Sequence, residues 1–456
     1  MKKLFQFILL SIVVLKATAQ DSPSAITINR ATEWSKEQTK IDTSRFIKKT
    51  VSREINLSKA LDVLIDMSGD LTIKTWNDNK VKIEATLKLD ERNDMTDDQL
   101  FDMIGASIKE FGSTVRVKCR NSLYYTMGGG SSQTLGLLSA TTGIPYGVSR
   151  SDRSVTLYIP SQSALEIENK YGHLAIQGNI KSLILNNTNG QIDANNIDRL
   201  QLRSKQGSFT ADVVTDADIV ITHGRVSLKE LTKGSFTGSY NTIEIEKAGD
   251  LALGSNSDDI DIDNSGSVTG MKNYGSLRIN TSGKLDLEGI NSNIKLRNIA
   301  PAAGLIRIVN RNAELRLPIR DSKNYAIEVK GSFNRFYSSV TDKMTVDTLT
   351  AKEVNDIKAK YESILEASKS IASSNALGAP FSVTGTTFSS DRPVYTTTSI
   401  AGGGQIVVNS GFSGFGSNAN ANTNTNNNLR YTLKAGDSGS QTKFDVICTN
   451  CTLDLK

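Results

Sequence analysis

Between about 155 and 300 the apolar positions of the chain keep one register. Gly172, Gly190, Gly207 and Gly224 stand 18, 17 and 17 residues apart, and further steps of 17 reach Asn241, Asp258, Gly275 and Ser292. All eight are Gly, Asn, Asp or Ser, the types that accept a left-handed backbone or make side-chain turns. Two and four places after each turn residue stand apolar side chains. The pairs are Leu174 and Ile176, Ile192 and Ala194, Phe209 and Ala211, Val226 and Leu228, Ile243 and Ile245, Ile260 and Ile262, Leu277 and Ile279, Ile294 and Leu296. This period-two alternation predicts strands. A second pair recurs ten and twelve places on, as Leu200 and Leu202, Leu251 and Leu253, Leu285 and Leu287. Position seven is often apolar too: Ile197, Val214, Leu231, Ala248 and Ile299.

A strand repeat this short cannot bury its apolar face alone and must stack on copies of itself. The predicted fold is therefore all-β: a single-chain β-solenoid, parallel β-helix-like, with rungs of about 17 residues and two helix-containing insertions. Eight rungs about 4.8 Å apart would extend on the order of 40 Å. Outward positions should also form ladders, with Asp212 beside Lys229 and Asp261 beside Arg278. Exposed pairs of this kind contribute only about 0.2–1 kcal/mol, but they oppose register slip.

The same phrase recurs outside the block, at Gly69 to Ile73, at Val155 to Ile159 (17 residues before Gly172), and at Cys451 to Leu455. The expected organisation follows: a signal peptide at 1–19, an N-terminal extension at 20–59, first solenoid strands at 60–87, an insertion at 88–150, the main solenoid at 151–319, a second insertion at 320–440, and a final rung at 441–456. In the first insertion a Thr96/Gln99 capping box predicts a helix using Leu100, Ile104, Ile108 and Phe111, stopped by Gly112 and followed by a strand from Val115. A Gly/Ser loop then begins at Gly128. In the second, strands are expected near Tyr325–Val329 and Phe333–Tyr337. A Thr350/Glu353 box then opens a helix whose face is Val354, Ile357, Tyr361 and Leu365. Both helices are expected on the side of the solenoid or capping its end. The Ser, Gly, Thr and Asn of 373–428 predict a disordered loop.

Ser68-Gly69-Asp70-Leu71-Thr72-Ile73, then Trp76, then Val81-Lys82-Ile83, then the short glycine-led rungs and a closing strand, resemble the putative adhesin (head-GIN-like) β-solenoid family of exported bacterial proteins. The resemblance covers about 60–87, 154–319 and the last rung. It implies a surface binding role and no catalytic residues. The helical insertions and the Asn-rich loop depart from the short family pattern.

The N-terminus supports export. Lys2 and Lys3 precede an apolar run from Leu4 to Leu15, and Ala17-Thr18-Ala19 offers a cleavage site before Gln20. The run is well short of the ~20 residues a spanning helix needs, and no later stretch of the mature chain is apolar enough to span. Cleavage would remove Lys2, Lys3 and Lys16, leaving 53 − 3 = 50 basic against 48 acidic residues. A near-neutral exported chain gives no reason to expect nucleic acid. Apolar residues are 38% and aromatics 6% of the 456, which fits a thin core of small aliphatics repeated many times.

Candidate chemistry is sparse. Glu244, Glu246, Asp259, Asp261 and Asp263 fall on adjacent rungs and, by the ladder assignment, on one face. Such carboxylates could hydrolyse glycosides or bind a ligand or Ca²⁺, but 17-residue rungs have turns too short to build a cleft, which favours a solvated face. His173 and His223 sit beside turn glycines without a nucleophile motif and read as loop polarity. Cys448-Thr449-Asn450-Cys451 lies between strands, so a structural disulfide or two free thiols fits it better than a redox pair. No metal site and no cofactor is expected. The leading expectation is a non-enzymatic adhesin-like protein, located in the periplasm, on the outer surface or secreted, binding an unknown protein or glycan at the cell envelope. The alternatives are a polysaccharide-active β-helix enzyme and a periplasmic structural or signalling partner.

Overall fold

The structure, a computed structural model, describes residues 46–57, 62–90, 95–112, 114–120, 135–138, 145–148, 154–301, 304–319, 325–339, 345–374, 431–436 and 442–456. It is mostly β, with few helices. The chain divides into two compact units. One takes in the described residues of 1–52, 84–103 and 122–154, the other those of 53–83, 104–121 and 155–456.

In the second unit parallel strands stack in register. Ile192 lies beside Phe209, Phe209 beside Val226 and Val226 beside Ile243, a step of 17 each time. Leu277 pairs with Ile294 by the same step. The step of 18 from Leu174 to Ile192 is absorbed as a bulge between Ile176 and Asn179, where Gly178 adopts φ 111°. The column Leu174, Ile192, Phe209, Val226, Ile243, Ile260, Leu277, Ile294 is nowhere more than 2% exposed.

One rung buries Ile192, Ala194, Ile197, Leu200 and Leu202. Each large aliphatic contributes about 1.5–3 kcal/mol, so the inward face outweighs any charge pair outside. Those outer pairs do form, Asp212 to Lys229 at 2.6 Å and Asp261 to Arg278 at 3.4 Å. Position seven departs from expectation at Ile299, which is only half-buried. In two nearby rungs Ser265 and Ser282 take that position, buried and hydrogen-bonded at 2.9 Å.

Stack order is not chain order. Leu174–Gln177 pairs with Leu71–Lys74, and Thr72–Trp76 pairs in turn with Thr156–Pro160. The direct step expected from 155–159 to 174 is therefore not made, because the Leu71–Trp76 strand lies between. Alongside, Val63–Met67 sits between Leu165–Asn169 and Val115–Cys119. The last strand, Thr442–Leu455, behaves likewise. One side pairs with Leu305–Arg311 and Glu314–Leu317, the other with Tyr325–Ser338. It is last in the chain but interior in the stack.

Antiparallel strands flank both ends. Ala106–Phe111 lies on Thr114–Arg120, and Tyr431–Gly436 on Ala326–Gly331, with Thr345–Thr348 beyond it. Reversing direction at the margin covers edges that would otherwise template further parallel strands.

The first unit contains the helix α1, Asp97–Met103. Its capping box forms, with Thr96 N donating to Gln99 Oε1 at 2.8 Å and Gln99 N to Thr96 Oγ1 at 3.3 Å. Leu100 and Phe101 are buried. The helix is shorter than its apolar spacing predicts. Gly105 turns left-handed at φ 64°, and Ala106–Phe111 is a strand. Leu100, Ile104 and Ile108 are four apart, a spacing that satisfies a helix face and a strand face equally.

In the second unit the helix α2, Ala351–Ser374, starts at its expected box, with Thr350 N donating to Glu353 Oε2 at 3.0 Å. Ile357, Tyr361 and Ile364 pack against Met271, Ile290 and Val309, residues of three different rungs. The helix therefore lies along the side of the stack. Its inner residue is Ile364, and the expected Leu365 is 46% exposed. The 1–19 segment, the loop at Gly128 and the 375–428 part of the Asn-rich loop lie outside the described residues.

Candidate functional site

The five acidic residues all lie on the Thr242–Glu288 strand and are exposed. They do not converge. Asp261 pairs with Arg278, and Asp259 accepts hydrogen bonds from Ser276 N at 3.1 Å and Ser276 Oγ at 2.7 Å. Glu246 and Asp263 line a shallow depression of about 500 Å³ with Asp212, Lys229, Glu230 and Lys247. There the Lys229 ammonium, hydrogen-bonded to Asp212, holds that carboxyl below its ordinary value, and Asp212 raises Lys229 in return. Among the described residues no three His, Cys, Asp or Glu side chains are placed to hold a metal ion.

The two histidines stay apart. His173 Nε2 lies 2.8 Å from the Asp193 carboxylate, and the His223 ring stacks on Tyr240 with centroids 5.0 Å apart and planes 16° off parallel. Cys448 and Cys451 have their sulfurs at bonding distance across a corner, with Cα atoms 5.9 Å apart. Cys119, the third cysteine, is buried elsewhere.

The corners hold what sequence spacing missed. The left-handed residue is the one before the turn residue, and of the turn glycines Gly172, Gly190, Gly207, Gly224 and Gly275 only Gly275, at φ 71°, is left-handed as well. Tyr171, Asn189, Gln206, His223, Tyr240, Ser257, Tyr274, Asn291, Asn312 and Asn450 all have φ between 50° and 60°. Eight of these residues donate their backbone N–H to the carbonyl just before the next corner in the stack, as in Tyr171 to Thr188 at 2.9 Å and Tyr240 to Asn256 at 3.2 Å. The corners therefore form one column. Glycine follows for a different reason. A Cβ on Gly190 would fall on the side-chain amide of Asn169, and one on Gly207 on the carbonyl of Gly190 in the next rung. Close approach between rungs, rather than backbone freedom, selects glycine there.

A buried polar seam lies beneath the corners. Asn169 Nδ2 donates to Asn187 Oδ1 at 2.9 Å, and Asn187 Nδ2 to Ser204 Oγ at 3.0 Å. Farther along, Asn241 Nδ2 donates to Asp258 Oδ1 at 2.8 Å and Asn310 Nδ2 to Ser292 Oγ at 2.8 Å. Lys272 is also fully buried, its ammonium donating to the Tyr274 carbonyl. Burial lowers its pKa from 10.5 to about 8 against the attraction of Asp258 and Asp259. Asp258 is pushed up by burial while Ser255, Asn241 and Lys272 pull it down.

The outer face of the corner column carries large uncharged side chains. Tyr171, Tyr240 and Tyr274 are 61%, 60% and 45% exposed. A left-handed backbone costs a bulky L-residue about 1–2 kcal/mol, whereas Asn tolerates it. Toward one end, Asn312, Glu314, Asn334, Asn450 and Thr452 line a depression of about 560 Å³. Asn450 Nδ2 there donates to Asn312 Oδ1 at 3.2 Å, and Asn334 Nδ2 to the Asn450 carbonyl at 3.2 Å.

No family model and no curated protein matches the chain. Solved structures similar to it include three that match about half of its length. A "putative adhesin" of Bacteroides fragilis is 10% identical, with 55% of this chain and 97% of that one covered and a TM-score of 0.26. A "putative lipid binding protein" of Parabacteroides distasonis is 14% identical, with 54% and 96% covered and a TM-score of 0.32. A "putative adhesin" of the same species is 10% identical, with 54% and 97% covered and a TM-score of 0.31. Likenesses this distant carry no argument about what this chain does. Among the described residues no helix is long and apolar enough to cross a membrane, which leaves strand crossings unaddressed.

Proposed function

We propose that this chain is an exported, non-enzymatic, adhesin-like β-solenoid with a binding or scaffold role at the cell envelope. The observation that carries the reading is the 17-residue parallel register, which repeats an outward side chain at each rung and lines up columns of exposed groups. Such an array suits a repetitive or extended partner. The solenoid would comprise 60–87, 151–319 and 441–456, with 88–150 and 320–440 inserted. Export is supported by the charged, apolar and small-residue segments of 1–19. A Cys448–Cys451 disulfide is proposed to form after export and brace the corner at Asn450. The acidic residues Glu244, Glu246, Asp259, Asp261 and Asp263 are proposed as a solvated face that could contribute to ligand contact.

Protease shaving of intact native cells tests the location, using an antibody to the mature N-terminal part. Loss of the chain, with a periplasmic control intact, is the expected result. Protection in intact cells and cleavage only after outer-membrane permeabilisation would reject surface adhesion and favour a periplasmic partner. Added Ca²⁺ should leave the thermal midpoint unchanged, and a rise lost in Asp261→Asn/Asp263→Asn would assign those acids to the ion.

A further inference from the structure

We infer that the column of left-handed corners, from Tyr171 to Asn450, is a binding surface for an extended, uncharged glycan chain, with Tyr240 and Tyr274 as its stacking platforms. The inference rests on the binding role proposed above and names its surface and ligand class.

The composition of the column is the first argument. Its ten residues are three Tyr, four Asn, one Gln, one Ser and one His. None is Asp, Glu, Lys or Arg, although those types make up 22% of the chain. Six and seven places farther along each rung, at the next bend, the outward positions by contrast carry Asp212, Lys229, Glu230 and Lys247. A corner column without charge, on rungs that carry charge pairs at another bend, favours a neutral ligand, since a charged polymer would find better partners there.

The second argument is what backbone geometry does not explain. Asn is expected at a left-handed corner, and His is also enriched there. Tyr is not. Three exposed tyrosines at strained positions where other rungs use Asn point to selection for the ring itself. Tyrosine offers a rigid apolar face and a wet hydroxyl, and amides beside it supply paired donors and acceptors. Sugar rings require that combination, an apolar C–H face on the aromatic and hydroxyls on the amides.

Spacing supplies the third argument. One rung separates His223 from Tyr240, whose rings stack at 5.0 Å. Two rungs separate Tyr240 from Tyr274, about 10 Å at the inter-strand spacing. That distance suits every second ring of an extended glycan. Farther along, Asn312, Asn450 and Asn334 continue the column into the depression they line.

The test uses the full mature chain and its Tyr240→Asn/Tyr274→Asn double variant. Asn is the corner residue of other rungs, so the variant removes rings without straining the fold, and matched circular dichroism and thermal midpoints check this. Calorimetry would titrate a panel of neutral β-1,3- and β-1,4-linked hexasaccharides, cellohexaose among them, with an oligogalacturonate as the charged contrast. The expected result is binding of at least one neutral member, insensitive to salt and at least tenfold weaker in the variant. No binding across the neutral panel, equal binding by the variant, or salt-sensitive binding of the oligogalacturonate alone would overturn the inference. Its failure is distinguishable from that of the adhesin reading, which the shaving experiment decides on location without reference to any sugar.

Discussion

At the scale of single residues, the corners show how one position can be chosen for two reasons at once. Gly190 is required by the approach of Asn169, while Asn189 before it takes the left-handed turn. Where the second position is not glycine, its side chain turns inward and joins the seam, as Asn241, Asp258 and Ser292 do. Lys272 extends that seam at an energetic cost. A pKa lowered from 10.5 to about 8 makes its charged form unfavourable by about 3 kcal/mol. Between these values the unfolded chain binds the extra proton, so stability from this group rises with pH. Tyr361 acts in the opposite sense. Burial pushes it up to about 12, so above pH 10 the unfolded chain loses the proton first and stability falls. Denaturant titrations from pH 7.5 to 10 should therefore show a rise in unfolding free energy of about 2–3 kcal/mol in the wild type. Lys272→Met should lack it, and parallel curves for the two proteins would contradict the assignment.

At the scale of elements, α2 provides a direct test of phase. The sequence places Val354, Ile357, Tyr361 and Leu365 on one face, but an aliphatic pair at 364 and 365 leaves the last turn undecided. The stack decides it, because Ile364 meets Met271 and Val309 while Leu365 faces outward. Ile364→Ala should therefore cost about 2–4 kcal/mol, and Leu365→Ala should stay within about 0.5 kcal/mol, measured by urea unfolding. Similar losses in both would mean that the helix is rotated. The inward columns and outer charge pairs were legible in the sequence because a strand's period of two and a repeat of 17 leave little freedom. The end of α1 was not, since four-residue spacing fits both elements. Nor was the corner column, because a left-handed Tyr carries no local signal until neighbouring rungs align it.

At the scale of the whole second unit, sequence repeats report which segments can be rungs but not the order in which they stack. Strands 71–76 and 442–455 each carry the rung phrase, and each sits between partners distant in sequence. Only long-range pairing, which no local pattern records, distinguishes an inserted rung from a terminal one. The consequence is energetic as well as topological. In a stack whose contacts are mainly between neighbours, removing an end rung exposes one interface, whereas removing an interior rung breaks two. Deleting residues 442–456 should therefore do more than fray an end. Hydrogen exchange should show loss of protection in Leu305–Arg311 and also in Tyr325–Ser338, which pair with the deleted strand on its two sides. The strands from Gln191 to Ser239, several rungs away, should keep theirs. Retained protection at 325–338 would show that this segment folds on α2 or its antiparallel partner alone, and that the C-terminal strand closes the stack from outside.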